Sequence, residues 1–156
     1  MKLLVDSGST KADWIAIDEN GKVLFTTQTL GLNPEVLDKE EIINRLEDKF
    51  DISHNKDKAT HLFFYGAGCG TDRMKDFLTL VFQEYFKNAV VVVHEDTYAA
   101  VYATTPKDEK AIVCILGTGS NCSYFAGKVL HQKVQSLGYI AMDDCSGNRF
   151  GRHLIR

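Results

Sequence analysis

Two short loops and one aspartate carry the residue types that could do chemistry in this sequence. "DSGSTK", Asp6 to Lys11, follows an apolar run. Gly8 there allows a ligand close to the backbone, and the amides from Ser7 to Lys11 can form a nest for phosphate oxygens. Ser9 and Thr10 add hydroxyls, Lys11 adds a positive charge, and Asp6 is a candidate ligand for Mg²⁺, directly or through water. "LGTGSN", Leu116 to Asn121, repeats the theme, with Gly117 and Gly119 flanking Thr118 and Ser120 behind them. Neither loop is a GxxxxGK[ST] phosphate loop, and no G-x-G-x-x-G leads a helix as in dinucleotide-binding folds. Asp96 stands at the end of "AVVVV", where open α/β sheets place their ligand-binding residues, and could take a proton from an attacking hydroxyl. Each piece alone also reads as something ordinary: a tight hairpin turn, a glycine-rich hairpin, a helix N-cap. The combination of all three favours an anion site.

The elements that must position these residues fall into a repeated order. Leu3–Val5, Trp14–Ile17 and Val23–Thr27 read as short strands, the last two joined by a turn at Glu19–Asn20–Gly21. "NPEVLDKEEIINRLEDKF" reads as a helix with Asn33 as N-cap, Pro34 in its first turn and Val36, Leu37, Ile42, Ile43, Leu46 and Phe50 near one face. Lys39–Glu41 and Glu47–Lys49 form its solvated side. His61–Tyr65 is a strand ending in "GAGCG". Asp72 is placed to cap a second helix that buries Phe77, Leu78, Val81, Phe82 and Tyr85. Ala89–Val93 has the β-branched composition of a strand buried on both faces. A short helix opening at Asp96 or Thr97 is closed off by Pro106. Then the opening order returns in "AIVCILGTGSNCSYFAGKVL", and the tetrapeptide GKVL occupies the same place in each copy, Gly21–Leu24 and Gly127–Leu130. The expectation is an α/β protein of two related lobes, a complete first one over 1–108 and the start of a second over 109–156. The last segment, "DCSGNRFGRHLIR", opens a helix without a stop signal, which fits a truncated second lobe that can associate with another copy.

Bulk properties narrow the function classes. The 156 residues are 44% hydrophobic and 25% charged, ordinary globular values. A net charge of −3 offers no basic field for nucleic acid or an acidic membrane, so a phosphate ligand must be held by local dipoles. No signal-peptide pattern or membrane-length apolar run is present, which points to the cytoplasm. Cys69, Cys114, Cys122 and Cys145 are scattered without a CxxC pair, as expected of reduced thiols. His94 and Glu95 are neighbours in a strand, pointing to opposite faces, and make poor joint metal ligands. His54, His61, His131 and His153 are read as structural or solvent-facing, as is His94.

"DSGSTK", "GAGCG", "EDTYAA", "GTGSN" and "LGYIAMDDCSG", in this order and spacing, resemble the N-acetylglucosamine kinases of the BadF/BadG-type ATPase group. That group belongs to the superfamily of sugar kinases, actin and heat-shock chaperones. The resemblance implies a ribonuclease H-like, actin-like ATPase lobe with a mixed five-stranded sheet flanked by helices, followed by the start of a similar lobe. It implies ATP and Mg²⁺ as cofactors, a small-molecule sugar substrate, and phosphorylation of an amino sugar, foremost N-acetylglucosamine at its 6-hydroxyl. Asp6–Lys11 then matches the first phosphate loop and Gly117–Asn121 the second. Asp96 matches the general base, and Asn33, Gly66, Ala67, Gly68 and Asp143 match sugar contacts. One motif departs from the usual GDEGSG: Met142, Asp144 and Cys145 replace a glycine, a glutamate and a second glycine. The segment that contacts adenosine in the family lies outside this sequence. Two other readings stay open at this point, an activator ATPase of the 2-hydroxyacyl-CoA dehydratase type and a non-catalytic sugar- or nucleotide-binding module.

Overall fold

The computed structural model describes residues 1–117, 119–131 and 143–155. The chain divides into two compact units, Met1–Asp96 and Thr97–Arg156.

The first unit is built on a mixed five-stranded sheet. β1 (Lys2–Ser7), β2 (Lys11–Ile17) and β3 (Val23–Leu30) form an antiparallel meander, and β4 (His61–Gly66) and β5 (Val90–Glu95) add in parallel on the other side of β1. The order is β3-β2-β1-β4-β5, so β1 is the central strand. The helices are α1 (Lys39–Glu47), the single turn α2 (Phe50–Ser53) and α3 (Asp72–Tyr85). The core that they share takes Leu3, Val5 and Trp14 from the meander, Leu62 and Phe64 from β4, Ile42 and Leu46 from α1, and Leu78 and Phe82 from α3. Trp14 also donates its indole N–H to Thr29 Oγ1 at 3.1 Å, tying β2 to β3 inside this core.

Several boundaries differ from the sequence expectation for identifiable reasons. β2 and β3 run longer than predicted, because the ladder continues from Ala16↔Phe25 to Lys11↔Leu30. α1 does not begin behind Asn33. Asn33 closes only a turn, accepting the Glu35 amide at 2.9 Å on its side chain, and Asp38 caps α1 through the Glu41 amide at 2.9 Å. A good cap followed by two glutamates in the first turn prevails over the Asn-Pro signal. Val36 and Phe50, predicted for the buried face, are accordingly exposed. Thr71, rather than Asp72, caps α3. β5 is an edge strand whose only buried residue is Val93, so its apolar run does not reflect burial on both faces here.

The second unit repeats the meander. β6 (Ala111–Leu116), β7 (Ser120–Phe125) and β8 (Leu130–His131) form an antiparallel sheet in that order. The two GKVL copies sit at the equivalent second turns, and their leading glycines adopt φ 81° and 90°, a conformation costly for other residues. The helix α4 (Thr97–Thr104) belongs to this unit, ahead of the boundary expected at residue 108, because Val101 packs with Val113 and Phe125 in its small core. α5 (Gly147–Ile155) ends the described residues. None of the described helices is long and apolar enough to cross a membrane.

One close approach decides where the first hairpin sits. Gly31, just past β3, donates its amide to Thr10 O at 3.0 Å, and a methyl on it would lie 2.5 Å from the Ser9 carbonyl oxygen. Gly31→Ala must therefore push backbone against backbone, and should destabilise the protein by about 1–3 kcal/mol, as overpacking does. Denaturant unfolding checks this; an unchanged midpoint would contradict the contact.

Candidate functional site

The first glycine loop is a tight hairpin between β1 and β2. Ser7 pairs with Ala12, and the Gly8 amide bonds Lys11 O at 3.0 Å, leaving Ser9 and Thr10 at the exposed tip. The loop is anchored from below by Ser7, whose buried hydroxyl donates to Gly8 O at 3.3 Å and accepts the Leu32 amide at 3.0 Å. Arg45 of α1 donates to Gly31 O at 2.5 Å while its Nε holds Glu41 at 2.7 Å. The sequence reading named Ser7 only for its amide in the first loop, and named neither Gly31 nor Arg45. Gly31, two residues ahead of Asn33-Pro34, is the one local signal among them.

Charge around this loop is shared between strands. Asp6 and Asp13 are directly opposite each other on β1 and β2. Lys11 reaches Asp13 Oδ2 at 2.8 Å, and Gln28 donates to Asp13 Oδ1 at 2.5 Å; these bonds hold the Asp13 carboxyl below its usual pKa. Asp6 is different. Although its side chain reaches the surface, desolvation by the flanking strands raises its pKa, the Asp13 charge raises it further, and Lys11 offsets part of this. A carboxylate with incompletely offset negative charge at the base of the first hairpin is suited to a hard cation such as Mg²⁺. Among the described residues, no three His, Cys, Asp or Glu side chains converge as a protein-only metal cage. A single carboxylate plus substrate phosphates is the usual way that Mg²⁺ is held.

At the same end of the sheet, the residues expected to meet a sugar come together. The Ala67 amide bonds Ser7 O at 2.8 Å, joining the "GAGCG" loop to the base of the first hairpin. Gly68 adopts φ 82°, and a methyl on it would lie 2.8 Å from Asn33 Cγ, so only glycine lets the Asn33 side chain lie against this loop. The Asp96 amide donates to Gly66 O at 3.2 Å, which fixes the residue after β5 to the end of β4. Asn33, Gly66, Ala67, Gly68 and Asp96 thus line one edge of the first unit, next to Ser7. Glu95 beside Asp96 has a raised pKa, through burial first and the Asp96 charge second. Burial, with the Asp96 and Glu95 charges behind it, pushes the buried Cys69 thiol up to about 12. His94 stacks on Tyr65 at 5.9 Å between centroids, and burial lowers its pKa.

The second glycine loop closes the β6–β7 hairpin. Leu116 pairs with Ser120 and the Gly117 amide bonds Gly119 O at 2.9 Å; Thr118 between them lies outside the described residues, as does Met142. This loop is gripped by the segment before α5. The Gly147 amide donates to Gly117 O at 2.8 Å, and Asp143 Oδ2 would lie 2.7 Å from a methyl on Gly119. Asp143 (φ 50°) is therefore brought against the second loop within its own unit. Ser146 is buried and caps α5 by accepting the Arg149 amide at 3.1 Å. Of the two described departures from the GDEGSG pattern, Asp144 meets Arg149 at 3.4 Å and Cys145 is exposed.

No family model and no curated protein matches the chain. Solved structures do. A candidate N-acetylglucosamine kinase from Porphyromonas gingivalis superposes with TM-score 0.88 at 36% identity, over 99% of this chain and 55% of that one. The inorganic polyphosphate/ATP-glucomannokinase of Arthrobacter sp. strain KM follows the same fold with TM-score 0.60 at 16% identity, over 98% and 72%. A candidate N-acetylglucosamine kinase from Chromobacterium violaceum does so with TM-score 0.59 at 15% identity, over 98% and 55%. The present chain thus spans just over half of the Porphyromonas protein. With the sheet order and the repeated meander in place, the match to that protein across nearly every residue gives this chain the actin-like ATPase fold of the sugar kinases and bears out its resemblance to the N-acetylglucosamine kinases.

Proposed function

We propose that this chain forms the phosphate-binding and sugar-binding part of an ATP-dependent sugar kinase, with N-acetylglucosamine phosphorylated at its 6-hydroxyl. The observation that carries the reading is the pair of equivalent meanders, each closed at its first turn by a glycine hairpin. A nucleotide triphosphate needs several fixed donors, and a chain without a basic field supplies them best from backbone. The amino-sugar assignment draws its support from the likeness to the Porphyromonas protein.

In this reading the Gly8 and Gly117 amides close the two hairpins, the amides of Ser9 and Thr10 at the first tip and those of the second glycine loop cradle the phosphates, and Thr10 adds a hydroxyl. Asn33 and the Gly66–Gly68 backbone orient the sugar, with Asp143 as a further contact. Asp96 accepts the proton of the attacking hydroxyl as its oxygen bonds the γ-phosphorus and ADP leaves. Asp6 would hold Mg²⁺, which would supply charge neutralisation for the phosphates. Lys11 divides its charge between Asp13 and the phosphates. Its pairing with Asp13 explains how one lysine in a chain of net charge −3 stays fixed beside the loop.

Three outcomes are expected of the complete protein. In an ADP-release screen over a panel of hexoses and amino sugars, N-acetylglucosamine should give the highest turnover; a flat response across the panel would refute the substrate assignment. Asp96→Asn should lower kcat by about 10²–10⁴, the usual worth of a positioned general base, while calorimetry finds sugar binding intact. Turnover at the parental rate in that variant would remove Asp96 from the mechanism. Asp6→Asn addresses the cation. The raised Asp6 pKa means that the folded state binds this proton more tightly than the unfolded chain, so ionised Asp6 costs stability at neutral pH. The variant should lose Mg²⁺-dependent nucleotide binding yet melt no lower than the parent at pH 7. That advantage should fade as pH falls below the ordinary carboxylate range. A lower melting temperature at pH 7 would contradict the electrostatic account.

A further inference from the structure

Scattered spacing gives no reason to pair any of the four cysteines, but the β6–β7 register does. Cys114 and Cys122 are direct cross-strand partners, both exposed, with Sγ atoms 3.3 Å apart. Counting outward from the Gly117 N–H to Gly119 O bond that closes the hairpin, Leu116 and Ser120 form a non-hydrogen-bonded pair. Ile115 and Asn121 form a hydrogen-bonded pair, and Cys114 and Cys122 are non-hydrogen-bonded again. In such pairs the Cα atoms stand about 4.5 Å apart, inside the range that a disulfide spans. We propose that Cys114 and Cys122 are a dithiol–disulfide pair that hydrogen peroxide oxidises and a dithiol reductant restores, clamping the hairpin that carries the second glycine loop.

The reaction balances within the pair and its oxidant. The Cys122 thiolate attacks peroxide, the O–O bond breaks, and Cys122 becomes a sulfenic acid as hydroxide leaves. Cys114 then attacks that sulfur, the S–S bond forms and water departs. Two thiols lose two electrons to one peroxide, giving one disulfide and two waters. The order follows from the contact: Cys114 donates its S–H to Cys122 Sγ, and that bond raises the Cys114 pKa, so Cys114 is the later of the two to act. The other two cysteines are internal controls. Cys69 is buried with its pKa pushed up to about 12, and Cys145 is exposed with no cysteine described beside it. The bond would sit three residues below each end of the loop, so the register of the tip would be locked from beneath.

The test treats the full chain with hydrogen peroxide, then maps peptides by mass spectrometry and counts free thiols. The expected result is a drop from four titratable thiols to two and a Cys114–Cys122 cross-linked peptide about 2 Da lighter than its reduced parts, reversed by dithiothreitol. Cys145→Ser should leave the cross-link unchanged, and Cys122→Ser should abolish it. Hydrogen exchange at Leu116 to Ser120 should slow several-fold on oxidation. Separate oxidation of Cys114, Cys122 or Cys145 without the cross-link would overturn the proposal, and so would hairpin exchange that oxidation leaves unchanged. These readouts are mass and exchange, so they stand apart from the kinase reading, which the sugar screen decides.

Discussion

The contact between Gly31 and the Ser9 carbonyl fixes the rest of the first unit's site. A side chain there would force the first hairpin away from the segment that follows β3. With glycine, the two backbones touch, Arg45 pins Gly31 O, and the next residue, Leu32, is fully buried with its amide on Ser7 Oγ. Asn33 is then delivered against Gly68, and the same Ser7 that holds Leu32 accepts the Ala67 amide on its carbonyl. The first glycine loop, the "GAGCG" loop and Asp96 are therefore linked through backbone groups rather than long side chains. Backbone linkage keeps positions to fractions of an ångström because few rotatable bonds intervene.

Electrostatics in this region divide two facing carboxyls, one stabilised by its partners and one not. Asp6 and Asp13 face each other across two strands, and the single lysine nearby is committed first to Asp13. The result is one carboxyl held low and one held high, the pattern that separates a structural charge from an available one. At the end of β5 and in the "GAGCG" loop, burial and neighbouring acids raise both Glu95 and Cys69. Such strain is what a site keeps when a cation or a proton is to arrive with the substrate.

Much of the fold was legible because its signals are local. The meander, the α3 face and the repeat around GKVL follow from period, turn residues and glycine spacing, and all are present. The misplaced starts of α1 and α3 arose where two capping signals compete within five residues, and capping strength rather than the presence of a cap decides. β5 misled differently. Its β-branched run reports strand propensity, while burial depends on which neighbours the sheet provides, and the edge position leaves Val90 exposed.

By itself the sequence determined the strand order within each meander, the two glycine loops and the family resemblance, since these rest on residues close together in the chain. Only the tertiary structure decided that Gly31 supports the first loop, that Asn33 lies on Gly68, that Asp143 lies on Gly119, and that Cys114 faces Cys122. The first three are meetings of loops distant in the chain, and the last is a cross-strand pair set by register. A shift of one residue in any ladder would turn every side chain to the opposite face and break it, and register is set by the packed sheet rather than by any single stretch of the chain.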